Sequence, residues 1–238
     1  WNRMGTVPEL TTASPAEWAD LGLMPYEECH ALQRELAEAV RAGRRGHTLL
    51  LVEHPPVLTL GSAFDPRHLL LSREEYTRRG IQVVTTDRGG DVTYHGPGQL
   101  VVYPIFDLDR LKRDLHWWLR SLEEAVIGAL REFHIVADRK PPHTGVWVGE
   151  RKIAAIGVKV RRWVNLHGIA LNCQNDLGPF DLIVPCGIRE YGVTSIEREI
   201  GRSVAPDEAK APMLRAFAEV FGLRFRDVEA MENHTGRA

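Results

Sequence analysis

The stretch RGGDVTYHGPGQLVVY spans residues 88–103, and it joins a glycine-rich beginning to an end that is typical of a β-strand. Glycine lets a backbone approach another group closely or adopt a positive φ, and proline restricts the chain. Polar side chains are interspersed among these residues, namely those of Arg88, Thr93, Tyr94, His95 and Gln99. This composition is compatible with a binding site and, equally, with a decorated turn.

The bulk composition limits the classes of protein to consider. With 238 residues the chain can form one large domain or two small ones, and it can bury a sizeable core. Its 44% apolar and 26% charged residues are ordinary for a globular protein, and a net charge of −2 argues against a nucleic-acid partner. No apolar run approaches the ~18 residues of a membrane span, and no charged-then-apolar leader opens the chain. We therefore expect a cytoplasmic protein without a membrane partner.

Hydrophobic periodicity predicts three amphipathic helices and several short strands. The helices are expected over 26–40, 114–133 and 207–222. The strands are expected over 47–53, 57–61, 82–86, 99–106, 145–149, 152–160 and 163–173. Pro104 indicates an edge or a bend, and Gly149 with Glu150 indicates a hairpin. Together these elements predict an α+β fold in which a mixed or antiparallel β-sheet packs with helices as a single unit.

Three cysteines cannot form a complete set of disulfides, and no CxxC pair is present, so free thiols are expected. Cys29 lies on the apolar face of the first helix and Cys173 lies inside an apolar strand, so both are predicted to be core residues. Cys186 lies in PFDLIVPCGI between Pro185 and Gly187. The proline fixes the approach to the thiol, and the glycine leaves the next N–H open to a developing oxyanion. A nucleophile and a small buried residue both fit this context.

A nucleophilic cysteine needs a nearby cation. Lowering a thiol pKa from ~8.5 to ~6.5 requires ~2.7 kcal/mol, and one positive charge ~4 Å away supplies ~4 kcal/mol at an effective dielectric of ~20. Alternation along KIAAIGVKVR predicts that Lys152 shares its face with Ala154, Ile156, Val158 and Val160. Lys159 shares the other face with Arg161 and is expected to point to solvent. Lys152 is thus the better candidate, with a solvent-seeking strand-end residue as the alternative.

Four ordered motifs carry a resemblance to a known family. They are RGGDVTYHGPGQLVVY, RKIAAIGVKV, LHGIALN and PFDLIVPCGI, within residues 49–196. The sequence resembles the octanoyltransferases of the wider lipoate- and biotin-protein-ligase-like superfamily. The resemblance implies a single biotin/lipoate protein ligase-like domain. We expect a polar arm over 1–16, the catalytic domain over 17–225 and a tail over 226–238.

The resemblance also implies roles for particular residues. It makes Cys186 the residue that forms an acyl-thioester and Lys152 the residue that assists it. The glycine-rich stretch becomes a wall of the acyl pocket, in which Tyr94 and His95 hold the polar end of the substrate. The implied substrate-binding residues are Arg88, Gly89, Gly90, Asp91, Val92, Thr93, Tyr94, His95, Ala155, Ile156, Gly157, Gly168, Ile169 and Ala170.

The implied reaction transfers an octanoyl group from octanoyl-acyl carrier protein to a lysine of a lipoyl domain. The acceptors would be the lipoyl domains of 2-oxoacid dehydrogenase complexes and the glycine cleavage H protein. The step from thioester to amide is downhill, so we expect no ATP and no cofactor. No GxxxxGK[ST] motif is present, and Pro97 removes an amide that a phosphate cradle would use. The alternatives are an ATP-dependent lipoate-protein ligase and a non-catalytic module that binds acyl groups or lipoyl domains.

Several polar side chains have two interpretations. His54, His95 and His167 are candidates for orienting the carbonyl or the amine, or for structural support. No two histidines have metal-ligand spacing along the chain, so no metal is expected. The basic run of Lys159, Arg161 and Arg162 could dock an acidic carrier protein, but a solvated edge is the favoured interpretation.

Overall fold

Two β-sheets and five α-helices make up the described part of the chain, which comprises residues 13–184 and 191–228 of a computed structural model. The strands are β1 (Ser14–Leu23), β2 (Thr48–Glu53), β3 (Val57–Leu60), β4 (Gln82–Thr85), β5 (Val92–His95), β6 (Gln99–Ile105), β7 (Asp138–Lys140), β8 (His143–Val148), β9 (Arg151–Arg161), β10 (Val164–Asn172), β11 (Gly192–Val193) and β12 (Leu223–Asp227). The α-helices are α1 (Tyr26–Arg41), α2 (Arg73–Arg78), α3 (Leu115–Arg131), α4 (Ile196–Ile200) and α5 (Pro206–Phe221).

The main sheet is mixed. Its strand order is β12-β1-β2-β6-β10-β9-β8-β7, and β11 pairs with one end of β9. Neighbours from β12 to β2 run parallel, whereas every neighbouring pair from β2 to β7 is antiparallel. A second sheet has the order β4-β3-β5. The predicted α+β class with a mixed sheet is therefore confirmed.

The predicted helices are confirmed, and they cover both faces of the main sheet. Helix α1 buries an apolar stripe that includes Cys29 and Leu36 against one face, where it packs beside β6 and β10. Helices α3 and α5 pack on the opposite face and on each other. Pro212 lies inside α5 without ending the helix. The second sheet forms a smaller core with Tyr76 of α2. The space for a site lies between α1, the main sheet and the second sheet.

Two local sequence signals have different outcomes. The hairpin at Gly149–Glu150 is confirmed, because Val148 of β8 pairs with Arg151 of β9. Pro104 does not mark an edge, since β6 lies between β2 and β10. The pairing of β6 with β10 ends at Val102, ahead of the proline, so no ladder hydrogen bond is required from its missing N–H.

The sheet extends past the boundaries expected at 16 and 225, because β1 begins at Ser14 and β12 ends at Asp227. The two strands pair in parallel, with Ser14 opposite Leu223. Each of these strands pairs with a strand near the other end of the chain. A local sequence pattern does not reveal a pairing between such distant segments. No helix within the described ranges is long and apolar enough to cross a membrane.

Candidate active site

The Arg88 side chain organises the glycine-rich loop from inside. It is buried, and its Nη2 donates hydrogen bonds to the backbone oxygens of Thr59 at 2.6 Å and Asp91 at 2.7 Å. Its Nη1 donates to the Gly89 oxygen at 3.0 Å. The guanidinium therefore ties the loop to β3, because a buried cation needs acceptors on every side.

The glycines of this loop permit close approach between backbones. The Gly89 N–H donates to the Val158 oxygen of β9 at 2.9 Å. A Cβ placed on Gly157 would lie 2.9 Å from the Gly89 oxygen, and one on Gly61 would lie 2.2 Å from the Gly90 oxygen. Side chains at these positions would push the loop away from β3 and β9. The wall that results is made largely of main chain.

A cavity lies between this loop, α1, β6, β9 and β10. Twelve of the predicted substrate-binding residues line it, namely Arg88, Gly89, Gly90, Asp91, Thr93, His95, Ala155, Ile156, Gly157, Gly168, Ile169 and Ala170. Tyr26, Val101, Tyr103 and His167 complete the lining. The structure thus brings together three separate motifs around one cavity.

Val92 and Tyr94 do not line the cavity, which corrects their predicted placement. Successive side chains of a strand point to opposite faces, so Thr93 and His95 of β5 face the cavity. Val92 and Tyr94 belong to the core of the second sheet, where the Tyr94 ring meets the Phe180 ring edge-on at 5.7 Å. Tyr94 therefore supports the loop from behind.

A β-bulge decides where the side chain of Lys152 points. Between β8 and β9 the register shifts, so that Val146 is opposite Ala154 while Trp147 is opposite Lys152. Ile153 is the extra residue, and it enters the same core as Ala154. Two successive side chains on one face are the signature of a bulge, beyond which alternation resumes in the other phase.

Lys152 consequently lies on the cavity side of the sheet. Its predicted sharing of a face with Ala154, Ile156, Val158 and Val160 is wrong, since those residues contribute to the core under α3 and α5. A second, smaller cavity adjoins the first and shares three of its residues. It is lined by Lys152, Thr93, Gln99, Ala155, Ala170, Asn172, Phe180 and Val193. Lys159 is exposed, as expected.

Aromatic side chains and a glycine surround Lys152. Its Nζ lies 4.8 Å from the centroid of the Trp147 ring, and the Tyr191 ring meets Trp147 edge-on at 5.4 Å. A Cβ on Gly145 would lie 2.8 Å from the Ala154 oxygen and 3.3 Å from Lys152 Cε. The lysine side chain is therefore held on one side by an indole face and on another by bare backbone.

Cys186 lies outside the described residues, together with the rest of 185–190. The flanks of this segment are described. Before it, the Val184 N–H donates to the His68 oxygen at 2.9 Å. After it, Val193 of β11 pairs with Lys152 of β9, and the Thr194 N–H donates to the Lys152 oxygen at 3.0 Å. The chain that carries the cysteine thus returns beside the predicted lysine.

His95 belongs to a buried amide network behind the cavity. Its Nδ1 lies 2.8 Å from Gln99 Oε1, so Nδ1 carries the proton. Gln99 Nε2 donates to Asn172 Oδ1 at 3.0 Å, and Asn172 Nδ2 donates to the Thr194 oxygen at 3.0 Å. Burial lowers the pKa of His95 to about 3, so the imidazole is neutral at pH 7. The network connects β5 with the backbone that follows β11.

His54 is a support for the cavity wall. It is fully buried and does not line the cavity. Its Nδ1 donates to the Met24 oxygen at 2.7 Å, and its Nε2 accepts a hydrogen bond from the Tyr103 hydroxyl at 2.8 Å. Burial lowers the pKa of His54 to about 4. With both nitrogens satisfied, His54 orients Tyr103, which does line the cavity.

His167 lines the cavity with an uncommon backbone conformation. Its φ is +60°, and its backbone N–H donates to Gln33 Oε1 of α1 at 2.8 Å. The side-chain Nε2 lies 2.8 Å from Asp87 Oδ1, and Nδ1 lies 3.4 Å from the Tyr26 hydroxyl. Burial lowers the pKa of His167 to about 4 despite the nearby carboxylate. Such backbone strain is concentrated at functional sites.

The other two cysteines are core residues, as predicted. Cys29 and Cys173 are free and fully buried. Burial raises the pKa of each thiol to about 12, because the thiolate would lose its hydration. Neither is therefore suited to nucleophilic chemistry.

The sequence matches the profile of the lipoyl protein ligase A/B catalytic domain over residues 25–218. The chain belongs to this family. The matched range includes α1, every strand that borders the cavity, Lys152 and Cys186. Membership agrees with the four motifs that gave the first resemblance.

Curated relatives and solved structures agree with this assignment. The chain is 52% identical over 204 residues to the octanoyltransferase of Rubrobacter xylanophilus, with 84% of this chain and 91% of the relative covered. It is 43% identical to that of Thermoanaerobacter pseudethanolicus, with 87% and 91% covered. A putative lipoate protein ligase from T. acidophilum with bound lipoic acid matches with a TM-score of 0.72 at 21% identity, over 92% of this chain and 90% of that one. The predicted resemblance and the ligase-like fold are confirmed.

Three residues of the cavity were not predicted from the sequence. Tyr26 comes from the apolar stripe of α1, while Val101 and Tyr103 come from β6. Alternation along QLVVY places Val101 and Tyr103 on the same face of β6, and this pattern was a usable signal for the lining. Tyr26 carried no such signal, because a tyrosine on a helix face is usually a core residue.

Proposed function

We propose that this chain is an acyltransferase that moves an octanoyl group from octanoyl-acyl carrier protein, through a thioester on Cys186, to a lysine of a lipoyl domain. Relatives named octanoyltransferase, at 43–52% identity over most of both chains, support the reaction. The observation that carries the mechanism is the position of Lys152. It lies on the cavity side of β9, beside the strand that follows Cys186.

In the first step, the Cys186 thiolate attacks the carbonyl carbon of the donor thioester. A new C–S bond forms to Cys186, and the bond to the carrier protein's thiol breaks. The leaving thiolate takes a proton from the Lys152 ammonium, so the lysine acts as a general acid. Before the attack, the same ammonium stabilises the anionic sulfur.

In the second step, the ε-amine of the acceptor lysine attacks the octanoyl-Cys186 carbonyl. The amine gives its proton to neutral Lys152, the C–S bond to Cys186 breaks, and an amide forms. Lys152 is then an ammonium again and Cys186 a thiolate, so the enzyme returns to its starting state. The thioester supplies the driving force, and no nucleotide is consumed.

The apolar part of the cavity suits the acyl chain. Val101 and Ala170 contribute aliphatic surface, and the neighbouring glycines expose backbone without side chains. Burying about seven carbons at ~0.8 kcal/mol each gives ~5–6 kcal/mol of binding free energy. This is sufficient for the enzyme to favour a chain whose length matches the cavity.

Lipoyl domains are the proposed class of acceptor. A structure of similar fold, at 20% identity and a TM-score of 0.70, is that of a bipartite lipoate protein ligase and its E2 lipoyl domain. We extend the proposal to the lipoyl domains of 2-oxoacid dehydrogenases and to the glycine cleavage H protein. A cytoplasmic location fits the free thiols of Cys29 and Cys173.

Mass spectrometry after incubation with octanoyl-acyl carrier protein tests the mechanism. We expect one octanoyl group on Cys186, which disappears when apo lipoyl domain is added, and no adduct in Cys186→Ala. Cys173→Ala is the matched control and should be labelled like the wild type. Modification by free octanoate only with ATP would identify a ligase instead. Octanoyl binding without any adduct would identify a binding module, and either result would falsify the acyl-enzyme route.

A further inference from the structure

Three potential metal ligands converge beside the cavity, and one of them, His167, lines it. His30 comes from α1, Asp87 from the turn after β4, and His167 from β10. One ligand atom from each lies within 4.8 Å of the other two. Asp87 Oδ1 is the common centre, 2.8 Å from His167 Nε2 and 3.5 Å from His30 Nε2. The residues are far apart in the sequence, so local spacing gave no sign of them.

The His30 ring has an unsatisfied nitrogen. Its Nε2 is buried and has no hydrogen-bond partner among the described residues. A buried polar atom without a protein partner is uncommon, and a water, a ligand or an ion can satisfy it. Burial lowers the pKa of His30, so the imidazole is neutral at pH 7 and carries a free lone pair on one nitrogen.

The surroundings of His167 are those of a metal ligand. When Nε2 binds a metal, the ring proton must be on Nδ1, which lies 3.4 Å from the Tyr26 hydroxyl oxygen. The Tyr26 hydroxyl itself donates to Thr86 Oγ1 at 3.0 Å, so its oxygen can accept from Nδ1. A hydrogen bond of this kind on the far nitrogen fixes the tautomer of metal-bound histidines.

We propose that His30, Asp87 and His167 form a binding site for a divalent transition-metal ion of the Zn²⁺ class, and that its occupation slows acyl transfer. Two imidazoles and one carboxylate are a donor set that such ions favour, and they leave a further position for water. Two ligand atoms ~2.0–2.2 Å from a tetrahedral zinc ion lie about 3.4 Å apart. The most widely separated of the three ligand atoms, which lie within 4.8 Å of one another, must therefore move closer, and Asp87 Oδ1 must move away from His167 Nε2, now at 2.8 Å. The Asp87 side chain is 51% exposed and has room to turn.

The effect on catalysis rests on the proposed function, whereas the binding site does not. His167 lines the main cavity together with Arg88 and Gly168. A metal ion bound to its Nε2 would fix the ring and add a net positive charge beside the cavity, because the single carboxylate of Asp87 offsets only half of the ion's charge. The charge and the bound water would hinder entry of the acyl group.

Calorimetric titration of the metal-free full-length protein with Zn²⁺ tests the site without any acyl substrate. We expect one equivalent to bind to the wild type. His30→Ala and Asp87→Asn should each weaken binding by about 100-fold or more, because even second-shell changes cost 10–100-fold. His116→Ala is the matched control, since His116 is exposed on α3 and should leave the affinity unchanged. Circular dichroism verifies that each variant is folded.

Two outcomes would overturn the site. Equal affinity of the wild type and both site variants would do so, and so would loss of binding only in Cys186→Ala, which would assign the metal to that thiol. A separate assay follows octanoyl transfer at increasing Zn²⁺, with each rate relative to the same variant without metal. Inhibition should require at least about tenfold more Zn²⁺ in His30→Ala. Tight binding without inhibition would keep the site and overturn its effect on transfer.

Discussion

The Nζ atom of Lys152 lies 4.8 Å from the centroid of the Trp147 indole ring. The two residues are directly opposite each other on β9 and β8, at the bulge that turns Lys152 toward the cavity. An ammonium over an indole face gains about 0.5–2 kcal/mol, depending on how far the pair is desolvated. Trp147 is therefore a positioning residue that holds the Lys152 side chain in place.

Replacing Trp147 by leucine should lower kcat/KM for octanoyl transfer by about two- to thirtyfold, which corresponds to 0.5–2 kcal/mol. Trp147→Phe is the control and should retain most of the activity, since it keeps an aromatic face. Equal losses of kcat/KM in Trp147→Leu and Trp147→Phe would show that the tryptophan acts only through packing.

Gly145→Ala should impair both stability and activity. Gly145 has a φ of +127°, and an added Cβ would lie 2.8 Å from the Ala154 oxygen and 3.3 Å from Lys152 Cε. We expect a loss of about 1–3 kcal/mol in the free energy of unfolding. Gly149→Ala is the control: its φ is +56°, but a Cβ there meets nothing within 4 Å. Urea denaturation and transfer rates of both variants would separate the two effects. Equal activity in the two variants would argue against contact with Lys152.

Alkylation should distinguish the three thiols. Burial raises the pKa of Cys29 and of Cys173 to about 12, so at pH 8 only about one molecule in 10⁴ carries the thiolate. Peptide mapping after brief exposure of the native protein to iodoacetamide should therefore find label on Cys186 alone. All three should react after unfolding in guanidinium. Rapid labelling of Cys29 in the native protein would contradict the burial described for α1.

Buried neutral histidines should make the protein sensitive to acid. Burial lowers the pKa of His95 to about 3 and of His54 and His167 to about 4, against 6.5 for an unperturbed histidine. As the pH falls below 6.5, these histidines become protonated in the unfolded chain but stay neutral in the folded chain. The free energy of unfolding therefore decreases. The expected loss is about 1.4 kcal/mol per pH unit and per histidine down to pH 4.

Urea denaturation at pH 7, 6 and 5 measures this loss. His54→Gln retains an N–H donor toward the Met24 oxygen, and its stability should depend less steeply on pH, by about one proton. His116→Gln changes an exposed histidine and should keep the wild-type dependence. A wild-type stability that is constant between pH 7 and pH 5 would contradict burial of the neutral imidazoles.

The length of the transferred chain should depend on Ala170. This residue lines both cavities and pairs with Ala155 of β9. Leucine at 170 would occupy space for part of the acyl chain, so preference should move from octanoyl toward hexanoyl by roughly tenfold, given ~0.8 kcal/mol per methylene. Competition between hexanoyl and octanoyl carrier proteins measures the ratio. Ala211→Leu, on the exposed side of α5, should leave it unchanged.

The sequence predicted those parts of the molecule that depend on local pattern. The amphipathic stripes predicted the bounds of α1, α3 and α5 to within about two residues. The motifs predicted most of the residues that line the cavity. The face of Lys152 was mistaken, because nothing in RKIAAIG signals the extra residue Ile153. Alternation is reliable only where the register is uninterrupted.

Other features depend on contacts between distant parts of the chain. The pairing of β1 with β12 joins segments near opposite ends, and neither has a strong alternating pattern by itself. The convergence of His30, Asp87 and His167 likewise requires α1, the turn after β4 and β10 to be placed in space. Such arrangements follow from packing and cannot be read from spacing along one segment.

Strand β9 changes neighbours along its length. Strand β10 accompanies it from Arg161 to Ala154, and β11 takes over at Lys152 and Arg151. One side of β9 is therefore shared by two strands, β10 and β11. Lys152 lies where β11 pairs, between the main chains of β8 and β11. The proposed proton carrier therefore lies on a strand that is hydrogen-bonded on both sides, and not on a loop.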